Sequence, residues 1–243
     1  MDTLCSYPQD LTFTPQLPYA FYSCTFTNEH YTDSQFTTHK IDFPAKLNNA
    51  VTKRKAEFLA GRLCAKHALQ RIDIADVQIL SGEDRAPIWP EGVKGSITHT
   101  QGIAIAMCSR DTELKGLGID VERFMGDEQE QKLQTQILHP EENSTFSSLS
   151  LTIANPLTLI FSAKESIYKA LYPSVGKFFG FDAVKLINFT NSELNFVIVE
   201  QLSTQLPVGK QITVRYQLSK NLVFTGLSDR TISPQAQAFH DLC

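Results

Sequence analysis

Asp120 and Glu122 stand in the stretch Gly118-Ile119-Asp120-Val121-Glu122. Their apolar neighbours Leu117, Ile119 and Val121 predict a buried strand. The two-residue alternation of a strand then puts both carboxylates on one face, near one end. Like charges held that close repel, and burial costs several kcal/mol per ion. A cation between them removes the conflict. Oxygen ligands, one or two carboxylates and positions left for water suit Mg²⁺ holding a phosphate. Gly116 and Gly118 permit close approach of another backbone or of a ligand. The plainer alternative is a pair of solvated acids at an exposed strand end.

Glu165 lies in Phe161-Ser162-Ala163-Lys164-Glu165-Ser166-Ile167-Tyr168-Lys169. On a helix Glu165 and Lys169 are one turn apart, which as a surface pair would contribute only about 0.3–0.5 kcal/mol. As a functional group Glu165 is a third carboxylate for the metal, with Lys164 and Lys169 meeting phosphate oxygens. His99 follows Gly95-Ser96-Ile97-Thr98, just before a strand. Hydroxyls around it suit a phosphate contact, and histidine shares a proton most readily near neutral pH. Arg54 and Arg62 are eight positions apart on one predicted helix. That is about 12 Å along the axis and within a quarter turn, a spacing for a long ligand with two separated phosphate groups. Arg85, in a proline-bounded loop, is a third contact. Nothing in the chain forms a Ser-His-Asp set, a glycine-rich dinucleotide loop or a Walker loop.

The elements that must position these groups are legible in outline. The chain has 243 residues, 42% hydrophobic and 20% charged, the balance of a globular protein. No apolar run approaches the roughly 20 residues of a membrane helix. Met1-Asp2-Thr3-Leu4-Cys5 has neither the basic start nor the apolar stretch of a signal peptide. The five cysteines (Cys5, Cys24, Cys64, Cys108, Cys243) are scattered, with no Cys-x-x-Cys pair. A reducing cytoplasm is therefore expected. The net charge of −4 argues against a nucleic-acid partner. Local basic clusters (Lys53-Arg54-Lys55 with Arg62 and Lys66; Lys164 and Lys169 with Lys177) instead point to an anionic ligand.

Residues before 48 read as strand and loop. A helix is predicted over 48–71, capped by Asn48 or Asn49. Residues 81–90 are turn-rich. Strands over 103–107 and 117–121 are expected to pair with each other. Residues 128–150 read as short helices and loop. Asn155-Pro156 starts a helix expected to stop before Pro173. Four strands follow over 183–189, 194–200, 211–218 and 222–227, with Asn191-Ser192 as a hairpin turn. Phe58-x-Ala60 followed by Lys66 repeats the spacing of Phe161-x-Ala163 followed by Lys169. This echo hints at two similar halves, each with one long helix against a sheet.

Taken in order, several segments resemble the 4′-phosphopantetheinyl transferases. They are 54–68, Arg85-Ala86-Pro87-Ile88-Trp89-Pro90, Gly95 through His99, Gly118 through Glu122, and Phe161 through Lys169. The likeness is to the larger two-subdomain type and, within it, the siderophore-associated (enterobactin-type) branch. It implies an α+β fold of two similar subdomains with pseudo-twofold symmetry, each a small mainly antiparallel sheet packed on a long helix. The subdomains would span 1–115 and 116–243, with the active site between them. The implied reaction moves the phosphopantetheine arm of coenzyme A to a serine of an apo carrier protein and releases adenosine 3′,5′-bisphosphate.

By position, the resemblance gives Asp120, Glu122 and Glu165 to Mg²⁺ on the pyrophosphate, with Lys164, Lys169 and His99 at the same phosphates. Arg54, Arg62 and Arg85 would hold the nucleotide end, including its 3′-phosphate. Ser96 and Thr98 would be neighbouring polar contacts. Glu165, or a metal-bound water it orients, would take the serine proton. The implied partners are aryl or peptidyl carrier domains of a siderophore synthetase, with fatty-acid carrier protein as the alternative, and the implied enzyme is a cytoplasmic monomer. The chain departs from the pattern where Phe161 replaces the usual Trp. It departs again at Glu83-Asp84-Arg85, where relatives often carry more lysines. The alternatives are a non-catalytic coenzyme A or nucleotide-binding module and another Mg²⁺-dependent phosphotransferase or hydrolase.

Overall fold

The computed structural model describes residues 5–6 and 17–230. Its first half contains β1 (Cys5–Ser6), β2 (Ala20–Phe26), α1 (Ser34–Thr38) and α2 (Thr52–Gln70). A two-stranded hairpin, β3 (Leu80–Ser81) with β4 (Pro87–Ile88), leads to β5 (Lys94–Thr100) and β6 (Ile103–Ser109). The four strands β1-β2-β6-β5 form one antiparallel sheet in that order. Small residues make the contact between helix and sheet. Ala56, Ala60, Cys64 and Ala68 of α2 pack on Cys24, Ala104, Ala106 and Cys108. Short side chains on both surfaces let the helix axis lie close to the strands.

The second half contains β7 (Leu114–Arg123), α3 (Asp127–Ile137), α4 (Asn143–Ser150), α5 (Pro156–Val175), β8 (Val184–Phe189), β9 (Glu193–Ile198), β10 (Gln211–Leu218) and β11 (Leu222–Arg230). Its antiparallel sheet has the order β7-β11-β10-β9-β8. Ile160, Ala163, Ile167 and Ala170 of α5 bury against Leu186, Phe196, Val214 and Val223. Each half is thus an antiparallel sheet on one long helix, and the fold is α+β with two pseudo-symmetric subdomains. The sheets change over in the turn 110–113, so all of β7 belongs to the second half. Among the described residues no helix is long and apolar enough to cross a membrane.

All seven residues of β6 are buried. One face meets α2; on the other, Ile103, Ile105 and Met107 pack on Leu117, Ile119 and Val121 of β7. A strand covered on both faces reads as a continuous apolar run rather than an alternating one. The expected ladder between 103–107 and 117–121 therefore does not form. β6 is hydrogen-bonded to β2 and β5, β7 to β11, and the two meet only through side chains.

Two helix boundaries also differ from expectation. Asn48 is itself helical in backbone (φ −50°, ψ −45°), closing a 3-10 turn over Ala45–Leu47. An N-cap needs extended backbone, and Val51 (φ −66°, ψ 152°) supplies it, so α2 starts at Thr52. Helix α5 runs through Pro173 to Val175. It stops at Gly176, whose left-handed φ of 69° and N–H to the Tyr172 carbonyl close the C-terminus. In the last turn Pro173 removes one hydrogen bond without ending the helix.

β7 approaches α5 unusually closely. A Cβ at Gly118 would lie 1.9 Å from the Ser166 carbonyl oxygen, and one at Gly116 would lie 2.0 Å from that of Ala170. Only glycine lets this strand rest on the helix backbone.

Candidate active site

The two halves join along β5 and β7. Strand β7 pairs with β11 on one edge. Its other edge meets side chains of β5 instead of a backbone ladder. Ser96, Thr98 and Thr100 alternate along β5, so their hydroxyls share one face. Ser96 Oγ accepts the Ile119 N–H at 3.1 Å, and Thr98 Oγ1 accepts the Val121 N–H at 3.2 Å. Arg123 donates to the Gln101 carbonyl from Nε (3.2 Å) and Nη2 (3.0 Å) at the end of the seam. Buried backbone donors at a sheet edge need such partners.

Asp120 and Glu122 hang from this seam on the face toward α5. Asp120 is 2% exposed. Its Oδ1 accepts from Lys169 Nζ at 2.6 Å and from Thr98 Oγ1 at 2.9 Å. Its buried Oδ2 has no hydrogen-bond partner among the described residues. Thr100 donates to Glu122 Oε2 at 3.4 Å. Burial, then the charges of Asp120 and Glu165, push the Glu122 carboxyl up to about 7, against Lys169 and Thr100. Glu165 is also raised, first by burial and then by Asp120, with Lys169 opposing. The sequence-predicted carboxylates and Lys169 therefore sense one another. Among the described residues, however, no three His, Cys, Asp or Glu side chains close around a single ion-sized point. The donor set fits Mg²⁺ chemically: hard oxygens, an unmatched buried carboxylate oxygen, and two carboxyls whose ionisation a cation would ease.

A separate cluster of cations lies on the first half. Arg62 is 8% exposed, its guanidinium 4.6 Å from the Phe58 ring centre, and it donates to Ser81 Oγ at 2.9 Å. Burial and the charge of Arg54 bring it down to about 10, and its buried Nε has no partner among the described residues. Lys46 is lowered by burial and by Arg62, Arg54 and Arg85, with Asp84 opposing. Arg54, Arg62 and Arg85 thus lie near enough to act on Lys46, a concentration of positive charge suited to an anion. Lys46 escaped the sequence reading because it stands alone in a 3-10 turn, away from the basic run at 53–55. Arg85 is held at φ 71°, in the left-handed region, on the hairpin between β3 and β4. Asp84 in the same turn accepts the Ala86 N–H at 3.0 Å. The Tyr172 hydroxyl, then that backbone bond, hold its carboxyl below the usual range. The acid that seemed out of place in the sequence thus faces α5.

His99 sits between the two clusters. Arg54 Nη1 donates to its Nε2 at 3.3 Å. An arginine is always a donor, which assigns the ring proton to Nδ1, 3.9 Å from Glu57 Oε2. Burial, then the charges of Arg54 and Lys169, pull His99 down to about 4, with Asp120 opposing. The ring is neutral at neutral pH. The contact with Glu57 is therefore not an ion pair at that pH.

Lys164 does not join the phosphate-facing groups. It is five residues before Lys169, about 140° around the helix, and enters the core of the second half. Its Nζ donates to Glu142 Oε2 at 2.9 Å and to the Ile137 carbonyl at 2.8 Å, and both charged side chains are fully buried. Glu142 also accepts the His139 N–H at 2.7 Å and the Leu186 N–H. Lys164 binds α5 to the segment between α3 and α4, a structural pair rather than a ligand contact. Lys66, the counterpart of Lys169 in the sequence echo, donates to the His39 carbonyl at 2.8 Å. The halves repeat a scaffold, not its chemistry.

A cleft of about 270 Å³ opens between the halves, lined by Arg85, Trp89 and Ile97 on one side and Tyr168, Lys169 and Tyr172 on the other. The Trp89 ring lies flat over Gly95, where a Cβ would fall 2.5 Å from it. A larger hollow of about 550 Å³, around Phe36, Phe43 and Lys55, holds none of these groups.

A cation cluster on one half, carboxylates and a lysine on the other, and a cleft between them that Arg85 and Lys169 line are suited to phosphate chemistry. Residues 43–109 match the family described as 4′-phosphopantetheinyl transferase N-terminal domain, and residues 116–223 match the 4′-phosphopantetheinyl transferase superfamily. The chain belongs to that superfamily, whose members are enzymes of the holo-carrier-protein synthase type. It is 38% identical to enterobactin synthase component D of Salmonella typhi over 178 residues, 73% of this chain and 74% of that one. It is 34% identical to the 4′-phosphopantetheinyl transferase Svp of Streptomyces mobaraensis over 169 residues, 68% of each. With the Npt transferase of Nocardia iowensis it shares 37% over 136 residues, 55% of this chain and 59% of that one.

Proposed function

We propose that this enzyme transfers the 4′-phosphopantetheine arm of coenzyme A to a serine of an apo carrier protein and releases adenosine 3′,5′-bisphosphate. One observation carries the reading: Lys46, Arg54, Arg62 and Arg85 cluster on one half, while Asp120, Glu122, Glu165 and Lys169 gather on the other. That division suits a ligand with a dianionic phosphate at one end and a pyrophosphate at the other. The cations would hold the nucleotide 3′-phosphate. The cleft past Lys169 would take the pantetheine arm.

Asp120, Glu122 and Glu165 would hold Mg²⁺, which when bound neutralises pyrophosphate oxygens and acts as a Lewis acid. The serine oxygen attacks the phosphorus that bears pantetheine, and the anhydride bond to the bisphosphate breaks. Positioning and charge matter more here than a strong nucleophile. Lys169 stabilises charge on the leaving bisphosphate. Glu165, or a water it orients, would take the serine proton. Neutral His99 serves as a hydrogen-bonding partner of Arg54 and the phosphates. Lys164 takes no part in the reading.

The relatives named enterobactin synthase component D support aryl or peptidyl carrier domains of a siderophore-type peptide synthetase as acceptors. The enzyme is read as a cytoplasmic monomer, which fractionation and light scattering check. Intact-mass analysis of apo aryl, peptidyl and fatty-acid carriers, incubated with coenzyme A and Mg²⁺, tests the reaction. A phosphopantetheine mass gain, absent when the carrier serine is replaced by Ala, is expected, fastest on the aryl carrier. Coenzyme A binding without transfer would reduce the protein to a binding module. Bisphosphate release without a carrier would make it a hydrolase.

A further inference from the structure

A threonine hydroxyl offers one donor and two acceptor sites. Thr98 uses all three within the protein. Its proton goes to Asp120 Oδ1 at 2.9 Å, and its lone pairs face the Val121 N–H at 3.2 Å and Lys169 Nζ at 3.5 Å. The side chain is 2% exposed. No hydrogen-bonding capacity is left for a nucleotide, the role that position alone gave it. Two residues on, Thr100 reaches Glu122 Oε2 at 3.4 Å. Both hydroxyls belong to the first half, and both carboxylates belong to the second.

We propose that Thr98 and Thr100 are positioning residues: reaching across the seam, they aim Asp120 and Glu122 at a divalent cation, and Thr98 makes no contact with the nucleotide. The proposal rests on the transferase reading for the presence of that cation. The geometry explains how it works. Thr98 and Lys169 both hold Oδ1 of Asp120, which fixes the plane of the carboxylate. Oδ2 is then the oxygen left without a partner among the described residues. A free carboxylate would rotate between equivalent orientations; this one presents a single atom in a single direction. Thr100 restrains the longer Glu122 side chain in the same way, through a longer bond. Cation affinity therefore depends on how the two halves dock, because the ligands are carried by one half and aimed by the other.

Two measurements separate this role from a nucleotide contact. Mn²⁺ binding with coenzyme A present is followed by electron paramagnetic resonance. Adenosine 3′,5′-bisphosphate binding without metal is followed by calorimetry. Thr98→Val should weaken Mn²⁺ by on the order of tenfold or more, the scale of one lost hydrogen bond to a charged group, with bisphosphate affinity unchanged. Thr98→Ser should restore Mn²⁺ affinity, because the hydroxyl rather than the methyl does the work. Thr100→Val should weaken Mn²⁺ to a smaller extent. Unchanged Mn²⁺ binding in Thr98→Val, or a loss confined to the bisphosphate, overturns the proposal. If Thr98→Val does not fold, wild-type Mn²⁺ affinity in Thr100→Val overturns it instead. The transferase reading fails separately: the mass assay is then blank while wild type and variants still differ in Mn²⁺ affinity.

Discussion

Gly118→Ala tests whether the close approach of β7 to α5 sets the geometry of the carboxylate site. The added Cβ would fall 1.9 Å from the Ser166 carbonyl oxygen and 2.8 Å from the Ala170 nitrogen. Both are backbone atoms in the middle of a helix, so neither can swing aside. Restoring a contact of about 3 Å means moving strand from helix by at least about 1 Å, since the repulsive wall is steep. Overpacking of this kind costs about 1–3 kcal/mol. The displacement also acts directly on the site, because β7 carries Asp120 and Glu122 while α5 carries Glu165 and Lys169. The Lys169–Asp120 contact, now 2.6 Å, would open past hydrogen-bond reach. A misplacement of about 1 Å can reduce turnover about 100-fold. The cations proposed to hold the nucleotide sit on the other half, so bisphosphate affinity should hold. The assays are thermal melting, bisphosphate calorimetry and single-turnover transfer to an apo carrier. Gly126→Ala is the control: its Cβ would meet nothing within 4 Å, and it should cost under about 1 kcal/mol. Wild-type melting and full turnover in Gly118→Ala would refute the reasoning.

Asp120→Ala, Glu122→Ala and Glu165→Ala should each abolish transfer while the fold survives, and full activity of any one with Mg²⁺ would remove it from the metal site. Glu142→Gln leaves Lys164 buried without its counter-charge and should cost about 3–5 kcal/mol in urea melts; a shift below about 1 kcal/mol would show that the pair is not the tie between α5 and the 138–142 turn. Lys46→Ala and Arg54→Ala should each raise the dissociation constant of the bisphosphate about tenfold, with unchanged binding in calorimetry excluding that residue from the anion-binding group. His99 lies below its ordinary 6.5, at about 4, so the unfolded chain takes up its proton first. The stability tied to its neutral form is complete above pH 6.5 and is lost as pH falls through 4, by about 3 kcal/mol. His99→Gln should flatten that part of the pH–stability curve, and an identical slope would mean that the ring is already exposed to protons.

What the sequence showed and what it hid follow from the same physics. β9 and β10 alternate, and each has one face on a core, so their ends could be read to within a few residues. β6 is covered on both faces; an unbroken apolar run says that a strand is buried but not by what, and its stacking on β7 was mistaken for pairing. Asp120, Glu122, Glu165 and Lys169 were found because two-residue and four-residue spacings each place a pair on one face. The same helical geometry argued against Lys164 all along, since five residues turn it away from Lys169, but a motif lists letters without angles. Lys46 contributes through space from an unremarkable turn, and no local pattern marks it.

The hydroxyls of Ser96, Thr98 and Thr100 show the limit best. Their alternation was visible, yet whether they faced a ligand or a strand edge depended on where the second half docks. That docking leaves β7 joined to the first half by side chains alone, so what is lodged at the seam answers to both halves at once. A site built there can be disturbed from either side without touching a ligand-binding atom, and the Thr98 and Gly118 variants approach it from opposite directions.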